Sequence, residues 1–250
     1  MTILHYPFAV LLSSLLLLWL SVQAGAFFIR RKPLNQDQRD DLTVITNAAL
    51  TLLALIIGFS FSMAVTRYDQ RKNYEEEEAN AIGTEYVRVD LIPAEQADKL
   101  RELLRTYLDE RVRFYESRDP HQLQEDDRKT AEIQADMWSI VQLEVKKQPT
   151  PPMALVMSGM NDVLNRQGYT QAAWRNRIPE GAWVLMVALG VCCGILVGFG
   201  SHQRGPFLFT ILPFVVAVAF FLISDIDSPR FGMIRVLPQN LIRLSESMHH

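Results

Sequence analysis

The strongest constraint on how this chain can fold is residues 43–80, where an apolar stretch runs without a break into a densely charged one. Residues 43–66 read TVITNAALTLLALIIGFSFSMAVT and carry no charge. As a helix rising ~1.5 Å per residue, this stretch can cross a hydrocarbon core of about 30 Å. Residues 67–80 read RYDQRKNYEEEEAN and contain no proline, so nothing local stops the helix where the apolar part ends. Hydroxyls recur at Thr46, Thr51, Ser60, Ser62 and Thr66, with a single glycine at Gly58. A helix surrounded by lipid has little use for them, whereas one lining a bundle interior or a wet cavity does.

Three further stretches have spanning length. Residues 8–29 are uncharged, and the basic cluster Arg30, Arg31, Lys32 follows the apolar run instead of preceding it. That order is wrong for a cleaved secretory signal despite the small residues Ala24-Gly25-Ala26, so the stretch reads as a retained span. A short polar turn over 33–40 then folds spans 8–29 and 43–66 into an antiparallel hairpin. Residues 181–200 and 207–224, joined by the turn 201–206, form a second hairpin, with a kink expected at Pro213. Gly190, Gly194 and Gly198 fall four apart on one helix face, a small-residue ladder that lets two helices pack closely.

Between the hairpins, residues 67–178 read as a helical extramembrane domain with no convincing strand. A helical pattern over 79–91 ends at Pro93. Residues 94–117 form an amphipathic helix with Leu100, Leu103, Leu104, Tyr107, Leu108 and Val112 at three- and four-residue steps. Asp119-Pro120 marks a turn, a third helix covers 126–147, and the prolines at 149, 151 and 152 stop it and start another over 153–166. Residues 225–250 are a polar, amphipathic tail whose closing His249 and His250 look like a tag remnant. The expectation is an all-α membrane protein: four transmembrane helices in two hairpins, divided as 1–66, 67–178, 179–224 and 225–250. Both termini and the domain then share one side of the membrane. Basic residues divide on which side. Arg30, Arg31, Lys32 and Arg39 favour a cytoplasmic first turn, while Arg67, Arg71, Lys72, Arg175, Arg177, Arg230 and Arg235, the larger set, favour a cytoplasmic domain.

Half the residues (49%) are hydrophobic, 21% are charged, and the net charge of −3 offers no basic excess for nucleic acid. Cys192 and Cys193 are adjacent, point in different directions on a helix, and read as small buried residues. No phosphate-binding glycine loop, nucleophile elbow or His-Glu-x-x-His helix is present, and nothing supports an enzyme, a cofactor or a metal site. The acidic run Glu75, Glu76, Glu77, Glu78 has two readings. It can present a carboxylate to an axis shared by several copies, as rings of Glu do in cation pores. It can also be a solvated face balanced by Arg71 and Lys72 through i to i+4 pairs. Tyr6, Tyr68 and Trp183 sit near span ends, as interfacial anchors do, whereas Trp19, Phe61 and Met63 suit helix packing. His202 and Arg204 in the second turn are placed to meet anions at a pore mouth.

Gly58-Phe59, followed by Arg67-Tyr68 at the end of the span, resembles the second span of the bestrophins, and the two hairpins flanking a helical domain are similar too. A closer likeness is to a bacterial bestrophin-like family of unknown function, through the basic cluster after the first span and the tail Asp227-x-Pro229-x-x-Gly232-x-Ile234. Bestrophins are pentameric ion channels whose second span lines a hydrophobic neck. Aligned on Gly58-Phe59, the resemblance puts the neck at Thr51, Leu55 and Phe59. Apolar rings there can gate by dewetting, with Thr51 a polar departure from the pattern. No acidic cluster matches the calcium site of animal bestrophins; Asp225 and Asp227 alone supply too few oxygens. The resemblance implies a homopentameric channel subunit in the bacterial inner membrane, with cytoplasmic domain and termini, whose partners are the lipid bilayer, copies of itself and small inorganic ions. The alternative is a non-conducting, membrane-anchored helical scaffold or sensor that binds a protein partner.

Overall fold

The computed structural model describes residues 6–31, 35–200 and 208–249. Those residues form eight α-helices and no strand: α1 Pro7–Arg31, α2 Gln36–Arg88, α3 Ala94–Glu116, α4 Pro120–Lys147, α5 Pro151–Arg175, α6 Glu180–Phe199, α7 Leu208–Asp227 and α8 Gln239–His249. A 3-10 turn, Val89–Leu91, closes α2 just before Pro93. The basic cluster's side chains and the turn holding His202 and Arg204 lie outside the described residues.

Several helices start earlier or end later than hydrophobic periodicity alone places them, because capping sets the ends. At the head of α2, the Asn35 side chain accepts from the Gln38 amide (2.9 Å) and the Gln38 side chain accepts from the Asn35 amide (3.2 Å). This reciprocal box starts the helix seven residues before the apolar stretch. Asp119 accepts from the His121 amide at 3.0 Å with Pro120 in the first turn, so the signal read as a turn begins α4 at once. Thr150 caps α5, which runs nine residues past 166 because Thr170, Ala173 and Trp174 are buried there. The tail is ordered as well: α8 buries Leu241 and Met248.

The chain divides into two compact units, Met1–Tyr68 with Arg177–Arg235 and Asp69–Asn176 with Val236–His250; α2 contributes to both. The first unit packs α1 against α6 and α7 around Leu18, Leu53, Met186, Cys193, Val216, Phe220 and Ile223. Glycines bring α6 onto α1. A Cβ at Gly194 would overlap the Ser21 hydroxyl, and one at Gly198 would overlap the Val22 carbonyl and lie 2.8 Å from the Ala26 nitrogen and 2.9 Å from the Gly25 Cα. Trp183 is buried edge-on against Phe220, with centroids 6.2 Å apart, and not displayed as an interfacial anchor. Trp19, Phe61 and Met63, expected to pack, are exposed, as is Cys192 beside the buried Cys193. Among the described residues four helices are long and apolar enough to cross a membrane. Their outward sides carry Phe8, Leu12, Leu16, Phe27, Phe28, Leu185, Phe214 and Val215, an apolar surface that water penalises and lipid does not. This is an integral membrane protein.

The second unit is a helical bundle. Its core gathers Leu100, Leu104, Tyr107 and Leu108 of α3, Met137 and Val141 of α4, Val156, Met160 and Val163 of α5, and Ile82 of α2. Along this stretch of α2 and the 3-10 turn after it, Arg71, Glu75, Glu78, Ile82, Glu85 and Val89 are buried, with Ala79 beside them. The steps of four and three among those six are those of a heptad seam, yet four of the six side chains are ionisable.

Candidate functional site

Two stretches of α2 hold most of the residues singled out by the sequence. In the membrane unit the helix has a buried side, Leu53, Ser60 and Ala64, with Ile56 and Ile57 partly buried against the same core. The opposite side lies open in the single chain. Asn47, Thr51, Leu55, Gly58, Phe59, Ser62 and Thr66 fall on it at helical spacing. Leu55 is 51% exposed and Phe59 61%, and nothing approaches within 4 Å of where a Gly58 Cβ would be. The Thr51 and Thr66 hydroxyls donate to the carbonyls of Asn47 (2.8 Å) and Ser62 (2.9 Å), which spends their hydrogens and turns oxygen lone pairs outward. The open stripe is therefore polar at both ends and apolar in the middle. Of the recurring hydroxyls, Ser60 is buried and the others are not, a distinction that spacing relative to the core could have supplied. At the end of this stretch Tyr68 packs against the membrane unit's core, and Arg67 lies 3.6 Å from the Met63 sulfur.

In the bundle unit the four glutamates separate by direction. Glu75 is buried at the start of α8. One oxygen accepts from the Asn240 and Leu241 amides (2.8 and 3.0 Å), and the other accepts from the Asn240 side chain (2.6 Å). A carboxylate there satisfies the orphan donors of a helix N-terminus and complements its dipole. Glu78 is buried with Arg111 on α3. The guanidinium Nε donates to one oxygen through a short bond and Nη2 reaches the other at 3.5 Å. Thr170 (2.9 Å) and Tyr115 (3.4 Å) donate to the same carboxylate, and Arg111 lies 4.4 Å above the Phe114 ring. Burial, and then the negative charge of Glu78, push the Tyr115 hydroxyl's pKa upward. Glu77 is half-buried and paired with Arg166, while Glu76 is exposed. Arg71 is buried and donates to the carbonyls of Ala173 (3.2 Å) and Asn176 (3.1 Å) at the end of α5. Only periodicity counted without regard to polarity would have revealed this seam.

The tail motif folds back on α7. Asp225 accepts from the Met233 and Ile234 amides (2.7 and 2.9 Å), and both oxygens of Asp227 stand 3.2 Å from the Ile178 amide. A Cβ at Gly232 would overlap the Asp225 carbonyl and lie 3.0 Å from that of Ser228, so a bare backbone is required. Pro229 starts the turn that follows α7. Both carboxylates thus hold backbone amides of this turn and of the approach to α6. Among the described residues no three His, Cys, Asp or Glu side chains gather as a metal site.

Four apolar helices with glycine-mediated packing, an α-helical bundle, and one helix shared by both define an all-α multi-span membrane protein. Within that class the chain belongs to the bestrophin-like family: the family's model, a bestrophin-like domain, matches residues 13–241. Solved structures of a bacterial bestrophin homologue from Klebsiella pneumoniae are similar in fold. One variant aligns at TM-score 0.67 and 14% identity over 94% of this chain and 99% of the other. A second variant gives 0.68 and 13% over 94% and 97%, and a further structure gives 0.66 and 14% over 95% and 97%. No curated protein sequence matched the chain.

Proposed function

We propose that the chain is one subunit of a homo-oligomeric, pentameric ion channel whose pore is lined by the open face of α2. The observation that carries this is the one-sidedness of that helix. Its buried side is committed to the membrane unit's core, and its free side reads Asn47, Thr51, Leu55, Phe59, Ser62, Thr66. Lipid has no use for polar groups at both ends of such a stripe, whereas a water path narrowed by a short apolar neck does. Several copies arranged about an axis would bring the Leu55 and Phe59 side chains into rings and leave Thr51 as a wetter lip. Membership in the bestrophin-like family supports the same reading. In it the bundle and both termini are cytoplasmic, the membrane is the bacterial inner membrane, and the partners are lipid, further copies of the chain and small inorganic ions. Of the acidic run, Glu76 is the carboxylate free to meet the ion path, because Glu75, Glu77 and Glu78 have partners within the chain.

Ion flux through the purified protein in sealed liposomes tests this, wild type beside Leu55→Ala/Phe59→Ala. Shortening the neck is expected to raise flux. Silence from both, with insertion and oligomer size verified, would replace the channel with a membrane-anchored scaffold.

A further inference from the structure

One member of the α2 seam, Glu85, lacks the hydrogen-bond partners that Arg71, Glu75 and Glu78 have. Glu85 lies between Ile82 and Val89 on the buried side of α2 and is 0% exposed. Neither of its oxygens has a hydrogen-bond partner. The nearest cation, Arg88, stands 4.0 Å away with a third of its side chain in solvent. Facing Glu85 from α5 is Gly159, where any Cβ would overlap the carboxyl oxygen and lie close to the Arg88 guanidinium. The two helices therefore meet through bare backbone on one side and a carboxyl group on the other.

The charged groups around it are few. Arg88 comes from its own helix and opposes it in sign; Asp162 comes from α5 and shares its sign. Glu77 and Arg166 line the same polar pocket, together with Asn80, Thr84 and Asp162, but pair with each other. Asp90 of the 3-10 turn pairs with Arg101. A buried carboxylate without donors is costly to keep ionised, while the neutral acid is not. Burial foremost raises the Glu85 carboxyl to about 8; Arg88 works against the rise and Asp162 adds to it.

We propose that Glu85 is a proton-operated latch between α2 and α5. Protonated, it lies flat against Gly159 and closes the seam. When the proton passes to water, the carboxylate draws Arg88 inward, is repelled by Asp162, and loosens the seam towards the adjoining pocket. The folded state holds this proton more tightly than the unfolded chain does, so the latch's stabilisation is complete below the ordinary value of 4.5. It is lost as pH rises through the window up to about 8. The latch lies beyond the channel reading and does not depend on a pore.

Amide hydrogen exchange on the full chain in lipid nanodiscs, corrected for intrinsic rates, tests it without reference to conduction. Between about pH 6.5 and about pH 9, exchange around Ile82–Val89 and Val156–Val163 is expected to quicken by roughly thirtyfold in the wild type, since a carboxyl with its midpoint at about 8 goes from about 3% to about 90% ionised over that range. Glu85→Gln, which keeps the neutral acid's shape, should retain the slow exchange at both values. Gly159→Ala, which displaces the carboxyl group, should already be loose at the lower one. Equal protection of the wild type at both pH values would overturn the latch. So would a Glu85→Gln protein that still responds to pH, or a Gly159→Ala protein as tight as the wild type.

Discussion

Between Leu53 and Ala64 the buried side of α2 is almost entirely apolar, with one serine; between Arg71 and Val89 the same helix buries an arginine and three glutamates. The open sides differ in the reverse sense. Beside the membrane core it is Leu55 and Phe59 that are unburied, and in the bundle it is Lys72, Asn73, Glu76 and Asn80. A single helix thus follows two solvents. Where lipid or a narrow pore surrounds it, apolar groups can face out at no cost. Where water does, the buried side has to specify its neighbours, and here it does so with charges that reach particular partners: Arg71 the end of α5, Glu75 the start of α8, Glu78 the middle of α3. A buried ion pair adds little net stability, but removing one partner leaves an uncompensated charge in the core at a cost of several kcal/mol.

The largest expected effect tests that contrast directly. Arg111 is 0% exposed, so Arg111→Met strands the Glu78 carboxylate in the core and should cost about 3–5 kcal/mol in a denaturant titration of the bundle. Adding Glu78→Gln should restore most of the loss. A double variant no more stable than the single one would mean that the network is needed as such, and not merely satisfied. In the membrane unit the comparable injury is steric. Gly198→Leu drives a side chain into the Val22 carbonyl and Gly25 and should cost roughly 1–3 kcal/mol, read as lowered thermal stability in detergent. Alanine at Gly58 meets nothing in the chain, so Gly58→Ala should be neutral or raise stability by up to about 1 kcal/mol through helix propensity. A fall in stability there would place another subunit against Gly58.

What the sequence made legible follows the same division. The four spans were plain because long uncharged runs have few other uses, and the glycine ladder was plain because Gly190, Gly194 and Gly198 share one helix face. Family membership was readable from Gly58-Phe59, Arg67-Tyr68 and the Asp227–Gly232 tail. The bundle's α2 seam stayed hidden, since Arg71, Glu75, Glu78 and Glu85 carry none of the apolarity by which a buried side is recognised. The starts of α2 and α4 were missed for a related reason. Asn35 with Gln38, and Asp119 with Pro120, are capping signals that periodicity does not weigh. The tail's α8 is short, and its place depends on Glu75, 165 positions away along the chain, which no local pattern can show.

A milder perturbation separates the two open faces. Leu55→Ala/Phe59→Ala removes side chains that are more than half exposed in the chain, so stability should move by less than about 0.5 kcal/mol even where flux rises. A large loss would instead assign those side chains to contacts between subunits.

The smallest effect concerns the acidic run. Three of its four members have partners, and replacing all four together would confound charge at the ion path with damage to α8 and to the Arg111 network. Glu76→Gln alone changes one exposed charge and disturbs neither. In the channel reading its carboxylate is repeated in every subunit and attracts cations through solvent, where screening limits the gain. The ratio of cation to anion permeability from reversal potentials should therefore fall by about twofold at low salt and by less as ionic strength rises. Glu75→Gln should leave that ratio alone and instead release α8, seen as faster hydrogen exchange at Asn240 and Leu241. If Glu75→Gln moved the permeability and Glu76→Gln did not, the buried and open sides of α2 would be exchanged in the assembled protein, and the contrast drawn from the single chain would fail.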